Sequence, residues 1–408
     1  MATADKTFTL TVSASGGGTT SGTVTLVGTN SQSSVRPAAF FDALWTEVLN
    51  GDFGAGVFVP GLGSKGSYVV TGVSGDASPA VFDAVVFDFA TYTWSLQTNA
   101  NGIANSAVKT PVASTSGAPY YEMNGYAGVP CTHQPYRINV GVGTRVIRMI
   151  GSCMTSTPLH TTYSHQYDTT TRLWSRLSTN GLDTSFDSNF AIEPCCLYDQ
   201  TANRIWFINA ELAYQNRLPY LDLNDNTHKN SVGFSAPSGG PVSSNWPHAI
   251  LHDDGTRRCI LVFKTPIFAG TAYPTYASVI DLNNIGGGFT SVTINNVGGA
   301  LENFNQGTGT YTQAQTSRWA YYPASSGGDG CHYGYDGTSG KVVKLAPPAT
   351  GITGTWTATA ITPVSGTFPT MQRGSGTCGH YTRWMFVPAL QCFAWVAGGS
   401  AQVALWKP

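Results

Sequence analysis

The chain has 408 residues, a formal net charge of −1 and only 11% charged side chains against 41% hydrophobic ones. Its longest basic run is Arg257-Arg258, so it lacks the clustered Lys and Arg of phosphate-driven recognition and no nucleic-acid partner is expected. No stretch nears the ~20 apolar residues of a membrane helix, and the opening MATADKTFTLTVSAS has no basic region followed by an apolar core, so no signal peptide is expected.

In chain order, residues 1–40 come first. They hold two alternating strands, TFTLTV (7–12) and GTVTLVGT (22–29), linked through Ser-Gly-Gly-Gly-Thr-Thr. A two-stranded ribbon is marginal alone, so this segment reads as an arm for attachment or assembly. AAFFDALWTEVL (38–49) is the best helix candidate, yet Ala43–Val48 also fits a strand. Beyond it the chain reads as strands of four to eight residues between Gly, Ser, Asn and Pro clusters. Aromatics at 12% and many Val and Thr suit a pleated surface.

A repeat emerges from these strands. An apolar strand ends in Asp, a polar turn follows, and an aromatic begins the returning strand. Val86-Phe87-Asp88 leads to Trp94, and Tyr167-Asp168 leads to Trp174. YLDLND (220–225) and VIDLNN (279–284) are weaker copies. The Asp is expected to accept backbone N–H bonds across its turn, a structural role rather than a catalytic one. A hairpin precedes each element, most clearly in CCLYDQTANRIWFINA (195–210) and HAILHDDGTRRCILVFK (248–264). Six units of four strands result, over roughly 52–100, 125–180, 190–235, 246–296, 316–362 and 380–408. The sixth has only three strands before the chain ends at AQVALWKP (401–408), and Ala43–Val48 is expected to supply the fourth. Sharing one unit between the two chain ends closes a ring without an exposed sheet edge.

The predicted fold is therefore all-β: an arm over 1–40 and a six-bladed β-propeller over 41–408, its last blade closed by an N-terminal strand. The Asp turns with Trp94 and Trp174, and the Gly398-Gly399 pair after a second strand, resemble the kelch and galactose-oxidase-type propellers. The diglycine is reduced to Gly72 and Gly151 in the first two units and replaced by Asn209-Ala210 and Lys264-Thr265 in the next two, so no subfamily follows. A galactose-oxidase likeness would imply copper held by Tyr and His, but those ligands do not map onto this chain, and no cofactor is expected. TADKTFTLTVSAS resembles the final strand of immunoglobulin-like domains in bacterial surface and phage fibre proteins.

Chemistry-bearing motifs are few. There is no G-x-S-x-G, H-E-x-x-H or P-loop pattern. Cys131-Thr-His133 followed by Arg137, and Cys378-Gly-His380 followed by Arg383, stand at the entries to first strands, as do His248 and Arg318. Bonding of loop carbonyls is the first reading of these residues, ligand binding the second and a zinc site the third. Tyr120, Tyr121 and Tyr126 crowd the polar stretch 100–136, where exposed rings could stack on sugars or simply cover a blade edge. Cys259 and Cys392 read as buried hydrophobes, and vicinal Cys195-Cys196 as ordinary packing on alternate strand faces. Cys131, Cys153, Cys331 and Cys378 are the disulfide candidates, with pairing open.

A low-charge, Gly-, Ser- and Thr-rich chain with no export signal fits a virion protein made in a host cytoplasm. The expected function is that of a non-enzymatic bacteriophage tail, fibre or baseplate component. Its partners would be other virion proteins through 1–40, a host-surface glycan or protein, and further copies in a symmetric assembly. A carbohydrate-active enzyme is the alternative; it would need paired carboxylates, and Glu122, Asp183, Asp187, Glu193 and Glu302 are not brought together by spacing. A copper enzyme ranks third.

Overall fold

The structure, a computed structural model, describes residues 22–28, 56–71, 82–102, 111–113, 121–123, 139–149, 151–154, 158–161, 163–181, 195–208, 217–234, 248–263, 276–301, 318–335, 340–370, 383–398 and 401–408. They form an all-β, propeller-like arrangement of four-stranded sheets. Among the described residues the strand nearest the N-terminus, β1 (Val24–Val27), belongs to the last sheet. The first sheet is β2 (Gly56–Val59), β3 (Ser67–Val70), β4 (Ala84–Asp88) and β5 (Thr93–Gln97), in that order. A hairpin, β6 (Pro111–Ala113) with β7 (Tyr121–Met123), precedes the second sheet. That sheet is β8 (Asn139–Val142), β9 (Arg145–Arg148), β12 (His165–Asp168) and β13 (Leu173–Arg176), interrupted by the hairpin of β10 (Gly151–Met154) and β11 (Pro158–Thr161).

The third sheet is β14 (Cys195–Asp199), β15 (Arg204–Ile208), β16 (Pro219–Asp222) and β17 (Thr227–Asn230). Then comes an eight-stranded sheet. One half is β18 (His248–Asp253), β19 (Arg258–Phe263), β20 (Tyr276–Asp281) and β21 (Phe289–Val297). The other is β22 (Arg318–Tyr322), β23 (Cys331–Tyr335), β24 (Val342–Ala346) and β25 (Trp356–Ile361). Neighbours within each half are antiparallel, and the halves join through a parallel pairing of Ile294–Val297 with Trp356–Thr359. The last sheet is β26 (Trp384–Val387), β27 (Cys392–Trp395), β28 (Val403–Trp406) and β1. First strands meet sheet to sheet: β22 lies against β26, β26 against β2, β2 against β8, β8 against β14 and β14 against β18.

The strand that completes the last sheet differs from expectation. Val24 pairs with Trp406 and Val27 with Val403, so the place assigned to Ala43–Val48 is taken by the strand assigned to the arm. Residues 43–48, the helix candidate 38–49 and the first arm strand lie outside the described residues. The segment after β25 runs along the free edge of β1: Val24 N donates to Ser365 O at 2.9 Å and Val364 N to Gly22 O at 3.1 Å. A covered edge no longer templates another chain.

Cores fill the gaps between neighbouring sheets. Each strand sends alternate side chains to its two neighbours. Val146, Tyr167 and Trp174 pack with Val57, Val69 and Val86 of the first sheet, while Ile147 and Met149 pack with Cys196, Ile205 and Phe207 of the third. Close approach of β2 and β8 relies on Gly141, where a Cβ would stand 1.9 Å from the Phe58 carbonyl oxygen. The Asp turns form as the repeat predicts. Ala90 N donates to Asp88 Oδ1 at 2.8 Å, Thr170 N to Asp168 Oδ1 at 2.8 Å, Asn224 N to Asp222 Oδ1 at 3.1 Å and Asn283 N to Asp281 Oδ1 at 2.8 Å. Tyr92, Arg172 and Asn226 close three of these turns at positive φ.

Those positive-φ residues also join sheet to sheet. Ala100 N donates to Arg172 O and Thr179 N to Asn226 O, at 2.8 and 2.9 Å. Asn101 then clamps the backbone of Trp174, accepting from its N at 2.7 Å and donating to its O at 3.1 Å. Asn180 repeats the clamp on His228 at 2.6 and 2.9 Å. At the closing sheet Gly28 holds the corresponding place, with φ +68 and room for a Cβ only 2.3 Å from Tyr92 O. Gly28→Ala is expected to destabilise the protein by at least about 1–2 kcal/mol, the cost of a Cβ at left-handed φ. Urea unfolding measures this, and an unshifted midpoint would show that β1 tolerates displacement.

Candidate functional site

Connections are sorted by face. At one end of the strands the first-to-second and third-to-fourth turns are short, from 143–144 to 347–355. At the other end lie the second-to-third and between-sheet connections, the longest spanning 98–138. Recognition residues gather on such loops because a rigid scaffold can hold them without their forming its core.

Two of the longer connections carry hairpins of their own. Pro111–Ala113 pairs with Tyr121–Met123 inside the 98–138 connection, and Gly151–Met154 pairs with Pro158–Thr161 inside the second sheet. The two hairpins lie side by side, β7 against β11. Tyr121 starts β7 opposite Ala113. Tyr120, Tyr126, His133, Arg137 and His380 lie outside the described residues, as do Cys131 and Cys378. Cys153 sits in β10.

Arg383 begins the last sheet at this same end and is buried. Its Nη1 donates to Val396 O at 3.4 Å and its carbonyl accepts from Val396 N at 3.0 Å. That is carbonyl bonding, the first of the three readings for its motif. Other buried polar groups cluster at this end. Asp83 Oδ1 accepts from Asn99 N at 2.8 Å and Nδ2 at 2.7 Å. Burial lowers Arg148 to about 9. Burial first, then the charges of Arg148 and Arg176, lowers His165 to about 3.

A buried Ser164–His228 pair, Oγ to Nε2 at 3.1 Å, has the composition of a nucleophile and its base. Its bonding is structural. Ser164 Oγ already donates to Met149 O, so His228 Nε2–H must be the donor to it, and no proton remains for the imidazole to abstract. Burial lowers His228 to about 4.

At the short-turn end, charge pairs link sheets. Arg258 reaches both oxygens of buried Asp199 at 2.7 Å, and Thr201 Oγ1 donates to Asp253 Oδ2 at 2.7 Å. His252 and His332 join the halves of the eight-stranded sheet, Nδ1 to Nε2 at 3.2 Å, with Tyr321 and Trp356 around them. Asp254 Oδ2 stands 3.6 Å from His252 Nε2. Among the described residues no group of three or more His, Cys, Asp or Glu could hold a metal ion.

The cysteines correct one expectation. Cys331, a disulfide candidate, is a free buried thiol whose Sγ contacts Asp329 O at 3.7 Å. Strand β23 lies inside its sheet, so its side chains fill inter-sheet cores. Cys259 and Cys392 are buried and free as expected. Cys195 and Cys196 face opposite cores, toward the β18–β21 half and the second sheet respectively. Burial pushes the thiols of Cys259, Cys331 and Cys392 up to about 12. Native protein at pH 8 is therefore expected to leave all three unmodified by iodoacetamide, as peptide mass analysis would show; the thiolate is the reactive form.

No protein-family model matches the chain, and no curated protein matches it.

Proposed function

We propose that the protein is a six-bladed propeller that recognises a surface ligand, a glycan or an exposed protein segment, through its loop face. The two halves of the eight-stranded sheet count as separate blades in this reading. What supports it is the repeated antiparallel order in each half and the first strands β18 and β22 meeting different neighbours. The observation that carries the function is the pair of adjacent hairpins, β6–β7 inside the tyrosine-rich stretch 100–136 and β10–β11 inside the second sheet. Aromatic side chains suit stacking against sugar rings or peptide side chains.

The proposed setting is a virion, with the protein carried on a phage tail, fibre or baseplate. Its support is compositional: 11% charged residues, 47 glycines and the fibre-like opening segment. A glycan array with product analysis tests the role. Retention of one glycan class without sugar release, abolished by Tyr121→Ala, is the expected result. Released sugar would replace the binder with the carbohydrate-active enzyme. No binding to glycans or to host surfaces would overturn recognition altogether.

A further inference from the structure

The last rung of the second sheet, at the root of the β10–β11 hairpin, departs from the pattern of its neighbour. Register places Asn139 opposite Arg148, Arg148 opposite His165 and His165 opposite Arg176. Residues directly opposite share a sheet face. Two residues further along each strand, Gly141, Val146, Tyr167 and Trp174 form the rung whose side chains pack on the first sheet. The polar rung therefore faces the first sheet too. The equivalent rung there is Gly56, Val70, Val85 and Leu96. One sheet thus has an apolar rung where the other sets an amide, two guanidinium ions and an imidazole.

His165 is 1% exposed, yet neither ring nitrogen has a hydrogen-bond partner. The Tyr163 backbone comes near the ring without reaching hydrogen-bond geometry. A buried N–H left unfilled is costly, and buried polar groups in folded proteins are normally satisfied. Arg176, at the outer strand, is exposed and lies 4.3 Å over the Tyr163 ring. The row therefore runs from a solvent-facing guanidinium to an unfilled imidazole and a buried guanidinium. Asp83, just before β4 in the first sheet, accepts from Asn99 through the bonds given above.

We propose that this rung binds an oxyanion group: a carboxylate, sulfate or phosphate, free or carried on an acidic sugar. Arg176 would meet it at the rim, the His165 N–H would donate to it, and the Arg148 charge would lie behind. Guanidinium pairs and neutral N–H donors are the groups that hold such anions. The site does not rest on the recognition proposed above, since a neutral glycan bound at the hairpins would leave it intact.

The test is calorimetric titration of the full chain with sodium sulfate and sodium acetate at ionic strength fixed with chloride. Glucuronate against glucose forms a second arm. Saturable binding is expected, weakened at least tenfold by Arg176→Gln and lost in His165→Phe. Arg145→Gln, at the opposite end of the same sheet, is expected to bind as the wild type does. Tighter binding of glucuronate than of acetate assigns the anion to a sugar, and equal binding assigns it to a free ion; either supports the site. No saturable binding, or unchanged affinity in Arg176→Gln, overturns it. Because Arg176 is exposed, that variant stays informative if His165→Phe fails to fold.

Discussion

Trp406→Ala is expected to destabilise the protein by about 3–5 kcal/mol, the range for removing a large buried aromatic. Trp406 is 1% exposed and packs on Tyr333, Trp384 and Phe393. Its Nε1 donates to Gly22 O at 3.2 Å, so it also holds the start of β1. The substitution leaves a cavity between the last sheet and the β22–β25 half and frees the closing strand together. Urea unfolding followed by tryptophan fluorescence reads the loss. Removing 401–408 goes further, because β27 and β1 then both lose their shared neighbour. That variant is expected to lose the single cooperative transition, and an unchanged transition would refute closure through β1.

Acid is expected to destabilise the ring steeply below about pH 6.5. His228 is lowered to about 4 and His165 to about 3, both chiefly by burial, and burial holds His332 well below its ordinary value. His252 is also lowered by burial, against the opposing pull of Asp254. The unfolded chain takes up protons at these imidazoles near pH 6.5, whereas the folded chain refuses them until far lower pH. Their contribution is thus complete above about 6.5 and is lost as pH falls toward the folded values. At ~1.4 kcal/mol per unit, His228 alone accounts for on the order of 3 kcal/mol by pH 4. Protonating both rings of the His252–His332 pair would leave two donors facing each other, so this contact between the halves of the eight-stranded sheet is lost only at the acid end of the range. Urea midpoints measured from pH 8 to pH 4 test this. A flat profile would sink it, and His332→Leu should make the profile shallower.

Much of the strand plan was legible because turn chemistry punctuates it. Asp88, Asp168, Asp222 and Asp281 mark third-strand ends; four of the predicted units coincide with a four-stranded sheet, the last completed from the N-terminal side, and the other two fall within the eight-stranded sheet. The closing strand was not legible. Ala43-Leu-Trp-Thr-Glu-Val imitates the aromatic anchor of the outer strands at Trp94 and Trp174. In the fold the anchor of that sheet is Trp406, one strand inward, and β1 needs only Val24 buried while Leu26 faces out. The parallel joint between β21 and β25 was equally hidden, because Ile294–Val297 reads as an ordinary strand end. At the loop face, the tyrosine-rich stretch pointed to the place where a hairpin forms at Tyr121. The polar rung of the second sheet escaped notice since Arg148, His165 and Arg176 are far apart in sequence and meet only through register. The Asn101 and Asn180 clamps left a trace in two Asn-Gly pairs just past outer strands.

The hydrogen bond between Trp406 and Gly22 joins residues 384 apart in the chain. During synthesis β1 emerges long before its partner β28. β1 therefore cannot dock until all the strands between it and β28 have been made. Loop closure over such a span is slow, and until it happens the edge of the final sheet is open to strands of other chains. Refolding should accordingly show a late phase in which Trp406 becomes buried, well after the internal sheets have formed.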